Sequence, residues 1–193
     1  MAGRNRRPRR SSSDGSGGQP IPGDPEQHPG DPEAVARAIC LRLLEQRARS
    51  RSELAAALAK RDVPDDAASR VLDRYAEVGL IDDAALAASV AGAQHRERGL
   101  ARRALAAKLR QRGLADEIGD ALSDIDADSE RARARELVDK RRRALTGVPP
   151  DVQARRLVGL LARKGYSSGV SYAVVREALA AEPEWDSGDA LAT

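Results

Sequence analysis

The side chains with the most chemical potential in this sequence are cations. Arg96, Arg98, Arg102, Arg103, Lys108, Arg110 and Arg112 crowd one short stretch. Lys140, Arg141, Arg142 and Arg143 form a run further on, followed by Arg155, Arg156, Arg163 and Lys164. The acids Glu97, Glu136 and Asp139 interleave with them. A basic run is usually a solvated face. The first group, however, is denser than solubility requires, and Gly99 interrupts it where a turn would present several cations together. Nucleic-acid phosphate and an acidic protein groove both satisfy such a surface. Arg greatly outnumbers Lys, and its planar fork suits bidentate contact with phosphate or carboxylate.

No catalytic constellation competes with this signal. The two histidines are His28, in a tail, and His95, among charges. Neither has a second His or Cys at ligand spacing, so no metal site is expected. The single cysteine, Cys40, lies on an apolar helix face and reads as core. It excludes an internal disulfide and points to a reducing compartment. Ser16-Gly17-Gly18 lacks the lysine and the flanking strand of a phosphate loop. Asp65-Asp66 and Asp82-Asp83 resemble paired carboxylates, but the latter pair precedes an apolar helix and reads as capping acids. The expectation is a protein that is not an enzyme, carries no cofactor and works by binding a macromolecule.

The elements that position these cations are helices. Aromatic residues are only 2% of the 193 residues, which argues against a β-sandwich or barrel. Ala, Leu, Arg and Glu, all good helix formers, dominate instead. No run of ~18 apolar residues spans a membrane. The charged N-terminus lacks the apolar region of a secretory signal, so a cytoplasmic location is expected. Residues 1–32, with Arg4, Arg6, Arg7, Arg9 and Arg10 followed by Ser/Gly- and Pro-rich stretches, read as a disordered tail. Residues 182–193 read as a flexible acidic tail in which Trp185 stands alone, placed either against the last helix or in solvent.

Between the tails, Asp31-Pro32-Glu33 forms a helix start. Val35, Ile39, Leu43 and Leu44 then recur at helical spacing. Ser52 is expected to cap a second helix with Leu54, Ala55 and Leu58 inward. After the break at Val63 to Asp66, a third helix turns Ala67, Val71, Leu72 and Tyr75 inward, and Gly79 closes it in the left-handed conformation.

This unit recurs. Leu54, Leu58, Arg61, Asp62 and Val63 align with Leu105, Leu109, Arg112, Gly113 and Leu114, and with Leu157, Leu161, Lys164, Gly165 and Tyr166. Ala67, Ile118 and Val170 follow at matching offsets, as do Val71, Leu122 and Val174. The period is about fifty residues, the length of a helix triplet. The paired leucines share one helix face, the cation complements the negative helix end, and Gly113 and Gly165 suit the left-handed closing position. Asp62 stands where the others have glycine and tolerates that conformation better than most residues. The fold expected is all-α: three tandem three-helix repeats, helix-turn-helix-like, at 33–81, 82–126 and 127–181, stacked into an elongated, curved array.

These residues carry a resemblance. Ala38 to Leu44, Arg49 to Leu54 and Tyr75 to Asp83, with Gly79-Leu80-Ile81-Asp82-Asp83 at the junction, resemble the first repeat of the RecX regulatory family. Arg96-x-Arg98-Gly99 with Leu105, Lys108, Leu109, Arg112 and Gly113 resembles its second, and Arg156-Leu157 through Ser167 its third. The resemblance covers roughly residues 34 to 181. It implies a modulator of the RecA recombinase that binds RecA chiefly as the filament on single-stranded DNA and lodges in the helical groove. It further implies inhibition of ATP hydrolysis, of strand exchange and of the co-protease activity behind the SOS response, with consequences for recombination and DNA repair.

The chain departs from the family where aromatic residues usually follow Asp82-Asp83. Ala85-Leu86-Ala87 and Val90-Ala91 stand there, a helix poorly suited to stacking on bases. The contact residues expected from the basic pattern are Arg96, Arg98, Arg102, Arg103, Lys108, Arg110 and Arg112, then Arg141, Arg142, Arg143, Arg163 and Lys164. Direct contact with DNA backbone and a monomeric state complete the expectation. The alternative is an autonomous DNA-binding helix-turn-helix protein. Against it, the candidate recognition helices lack Asn or Gln placed for base reading.

Overall fold

The computed structural model describes residues 30–180. The tails expected at 1–32 and 182–193, with His28 and Trp185, lie almost wholly outside the described residues. Within them the chain is helical and contains no strand. The helices are α1 (Pro32–Gln46), α2 (Arg51–Ala59), α3 (Asp65–Glu77), α4 (Asp83–Arg98), α5 (Arg102–Gln111), α6 (Ile118–Ala121), α7 (Ala127–Arg142), α8 (Pro150–Arg163) and α9 (Ser168–Ala180), with a 3-10 turn at Arg143–Leu145 between α7 and α8.

Local chemistry accounts for the boundaries. The Asp31 carboxylate accepts the Glu33 N–H at 2.9 Å, and Pro32 occupies the first helical position, whose missing donor costs nothing there. Ser50, not Ser52, caps α2. Its hydroxyl accepts the Glu53 N–H at 3.0 Å while the Glu53 carboxylate accepts the Ser50 N–H at 3.2 Å. The Ser-x-x-Glu spacing permits this reciprocal pair only from Ser50. Asp82 caps α4 through the Ala85 N–H at 2.8 Å, and Asp126 caps α7 through Ser129. Lys140 to Arg142 form the last turn of α7, so their charge meets the negative end of that helix.

Three apolar clusters follow one another along the chain. The first gathers Leu54 and Leu58 with Cys40, Val71, Leu72 and Tyr75. The second gathers Leu105 and Leu109 with Leu86, Leu114, Leu122 and Ile125. The third gathers Leu157 and Leu161 with Val138, Leu145, Tyr166, Val174 and Val175. All six motif leucines are at most 1% exposed, so the repeat read from the sequence is the repeat that builds the cores. Ala55 breaks the expectation: it is exposed, because α2 is short and buries a face only one leucine wide. Burial pushes the Cys40 thiol up to about 11, which leaves it protonated and unreactive.

Candidate partner-binding surface

Two joints hold the units in series, and the basic residues divide according to whether the joints use them. At the first joint, the N-terminus of α2 meets the C-terminus of α5. The fully buried Ser50 hydroxyl donates to the Arg112 carbonyl at 2.6 Å. The Arg112 guanidinium grips Glu53 with both prongs, Nε at 3.0 Å and Nη2 at 2.9 Å, and Nη2 also reaches the Ala48 carbonyl. Arg47 adds two longer contacts to the same carboxylate. Burial alone would raise the Glu53 carboxyl, but these guanidinium bonds and the Ser50 N–H outweigh it and hold the group at about 2. Asp83, from the following unit, accepts the Arg51 N–H at 3.0 Å and so satisfies an orphan donor of α2. Both aspartates of the 82–83 pair therefore cap helices, but different ones.

The second joint repeats this geometry with other side chains. Ala101, which precedes α5 as Ser50 precedes α2, donates its N–H to the Lys164 carbonyl at 3.0 Å. Although it lies in the second unit, Ala101 is buried in the third core. Lys164 Nζ donates to the Arg98 carbonyl, and the buried Tyr166 hydroxyl donates to the Gly99 carbonyl at 3.2 Å. Burial raises the Tyr166 hydroxyl to about 12, so it stays a donor. Arg133 of α7 donates to the His95 and Arg96 carbonyls at the end of α4. His95 Nδ1 lies 2.9 Å from the Leu100 carbonyl within the same turn. Among the described residues, the hydrogen bonds and ion pairs between units join first to second and second to third, never first to third.

The twelve expected contact residues separate accordingly. Arg112 and Lys164 are half-buried and committed to the joints. The Arg102 guanidinium donates to the Leu122 and Ile125 carbonyls, tying α5 to the turn after α6. Arg142 donates to the Ala178 carbonyl at the end of α9 at 3.0 Å. Lys108 is half-buried. The others, Arg96, Arg98, Arg103, Arg110, Arg141, Arg143 and Arg163, are exposed, and among the described residues their side chains have no hydrogen-bond or ion-pair partner. Arg103 and Arg110 stand seven residues apart, which puts them on one face of α5. Arg96 and Arg98 occupy the last turn of α4 before the left-handed Gly99.

A groove of about 800 Å³ beside α8 is also cationic, with Arg141, Arg155, Arg156 and Arg163 over a floor that includes Val152 and Leu160. It brings Arg141 of the α7 run together with Arg163. Sequence spacing could not show this, because the two lie on different helices. Ser50, Asp83 and Tyr166 are the joint residues whose roles are invisible in a linear pattern. The Ser50-x-x-Glu53 box was the one readable trace of them.

Comparison with known proteins places this architecture. Family models for the first, second and third three-helix domains of RecX match residues 36–74, 82–121 and 128–175. The regulatory protein RecX of Thermobifida fusca is 50% identical over 155 residues, covering 80% of this chain and 84% of that protein. That of Streptomyces coelicolor is 47% identical over 175 residues, covering 90% and 93%. Among solved structures, a crystal structure of RecX from Lactobacillus salivarius aligns with a TM-score of 0.68 at 20% identity, over 76% of this chain and 96% of that one, a likeness of fold alone. A crystal structure of a regulatory protein RecX aligns with a TM-score of 0.67 at 26% identity, over 80% and 79%.

Proposed function

This chain belongs to the RecX family of regulatory proteins, and from that premise we propose that it binds the RecA recombinase filament on single-stranded DNA. Bound there, it inhibits ATP hydrolysis, strand exchange and co-protease activity, and so modulates recombination, DNA repair and the SOS response. It acts without catalysis, as a cytoplasmic monomer. Among the described residues no helix is long and apolar enough to cross a membrane.

The observation that carries this reading is the division of the cations. Arg102, Arg112 and Lys164 hold the chain together, whereas Arg96, Arg98, Arg103 and Arg110 of the second unit point their charge at nothing within the described residues. Exposed guanidinium groups on a jointed, pre-organised array suit a long anionic partner, because little ordering entropy is lost on docking. Arg141, Arg143 and Arg163 extend the same surface into the third unit. Phosphate backbone and acidic groove walls both satisfy it, and contact with the DNA backbone forms part of the proposal. An array bridging neighbouring filament subunits hinders the motions that ATP turnover needs.

The test is ATPase by the cognate recombinase on single-stranded DNA, titrated with this protein. Inhibition below one copy per recombinase subunit is expected. The double variant Arg103→Glu/Arg110→Glu should raise the half-inhibitory concentration about tenfold, equivalent to about 1.4 kcal/mol, with helicity unchanged. Full-strength inhibition by that variant would refute the assignment. Sequence-selective retardation of duplex DNA in the absence of recombinase would favour the autonomous DNA-binding reading instead.

A further inference from the structure

We propose that the groove between α8 and α9 is the docking surface for the chain's own C-terminal segment, Glu182 to Asp186, with the Trp185 indole as its anchor. The groove measures about 690 Å³ and is apolar along its length, with Val158, Val175 and Leu179 on its walls and the 65%-exposed Tyr172 at one end. Arg155 and Arg176 stand on its rim. Its lining extends to Ala180, the last described residue, so the segment begins next to the groove in sequence.

Length, turn chemistry and charge select this occupant. Trp185 is five positions beyond Ala180, and in extended conformation those five steps reach about 17 Å. Going back along α9 from Ala180 to Tyr172 takes eight residues, about 12 Å of helix. Trp185 can therefore reach any part of the groove. Pro183 has no amide hydrogen and disfavours a helical conformation at Glu182, so the sequence itself favours a break from the α9 axis there.

Residues 182–193 carry Glu182, Glu184, Asp186 and Asp189 and no base. The exposed side of α8 beside the groove bears Arg155, Arg156 and Arg163, with Arg176 opposite on α9, a complementary charge for these acids. Among the described residues the partner of Arg155 is Asp151 at 3.0 Å, in a pair more than 70% exposed on both sides, and such pairs hold little energy. An indole with carboxylates three residues before and one after suits an apolar trough with guanidinium rims. Its ring supplies buried area and a face for the arginines. Arg155 and Gly159 line both this groove and the cationic groove on the other side of α8, so a docked segment also lies beside Arg141 and Arg156.

Trp185 is the chain's single tryptophan, so its fluorescence reports this contact directly in the full-length protein. The expected result is emission to the blue of N-acetyltryptophanamide and acrylamide quenching several-fold weaker than for that compound, both independent of protein concentration. Tyr172→Ala and the pair Arg155→Glu/Arg176→Glu should each move emission and quenching toward the free compound, with far-UV circular dichroism unchanged. Arg61→Glu, in the first unit, should leave both alone and serves as the control. Solvent-like emission in the unmodified chain overturns the proposal, as does a shielded indole indifferent to the groove variants. Shielding that disappears on dilution assigns the groove to a second copy's tail and overturns docking within one chain.

Discussion

The turn after the second helix is built three times, and its first copy differs instructively from the other two. Asp62, Gly113 and Gly165 all lie in the left-handed region, at φ of 57°, 71° and 92°. In each copy the next apolar residue, Val63, Leu114 or Tyr166, sends its N–H back five residues to the second motif leucine and covers the helix end. Backbone conformation is thus the same, and aspartate manages it once. What separates the copies is the neighbour. A Cβ on Gly113 would sit 2.3 Å from the Cβ of Ser52, and one on Gly165 would sit 2.6 Å from the Cβ of Ala104. Both are side chains in the first turn of the preceding unit's second helix. Among the described residues no unit precedes the first, and Asp62 is exposed. The equivalent cations divide the same way. Arg112 and Lys164 reach into the preceding unit, while among the described residues Arg61 bonds the Ala57 carbonyl of its own helix alone. Glycine at this position therefore marks a joint, and aspartate stands where no described unit packs against the turn.

Substitution at the joints should break this contrast most visibly. Gly113→Ala and Gly165→Ala combine left-handed strain with a clash against an adjacent unit, for an expected loss of about 2–4 kcal/mol each. The urea midpoint followed by circular dichroism checks this, and a loss under about 1 kcal/mol at both sites would remove the packing half of the explanation.

A smaller effect is expected from acid. The Glu53 carboxyl lies at about 2 in the fold against an ordinary value of 4.5. A depressed carboxylate stabilises the fold fully above the ordinary value and progressively less as the pH falls toward 2. The contribution is on the order of 2–3 kcal/mol. Arg112→Met should abolish most of that dependence while leaving the first unit's helices intact. A urea midpoint that falls equally from pH 5 to pH 3 in both proteins would show that the joint's carboxylate does not govern it.

The smallest change belongs to the turn of the first unit. Asp62→Gly relieves a modest left-handed strain and meets no neighbour, so stability should hold or rise by no more than about 1 kcal/mol. Destabilisation by this substitution would mean that Asp62 has a role beyond the turn.

Much of the architecture was readable before any coordinates. The recurring leucines, the break residues and the capping acids at Asp31 and Asp82 are short-range signals, because helix periodicity and capping are properties of adjacent residues. The misplaced cap at Ser52 and the exposed Ala55 show the grain of that reading. A helix start is legible to within a residue or two, and a one-leucine-wide buried face does not announce its edge.

The candidate contact surface was less legible. Charge density singles out Arg96 to Arg112, but it cannot tell Arg103, which is exposed, from Arg102 and Arg112, which are spent on carbonyls and a carboxylate of neighbouring segments. Nor could it bring Arg141 and Arg163 to one groove.

Residue order alone settled that the chain is helical, that it repeats, and where each unit's core leucines lie, since those depend on contacts a few residues apart. Only the packed molecule decided which cations are structural and which are available. That choice rests on pairings such as Arg112 with Glu53, 59 residues apart, and side chains so distant meet only once every helix between them has found its place.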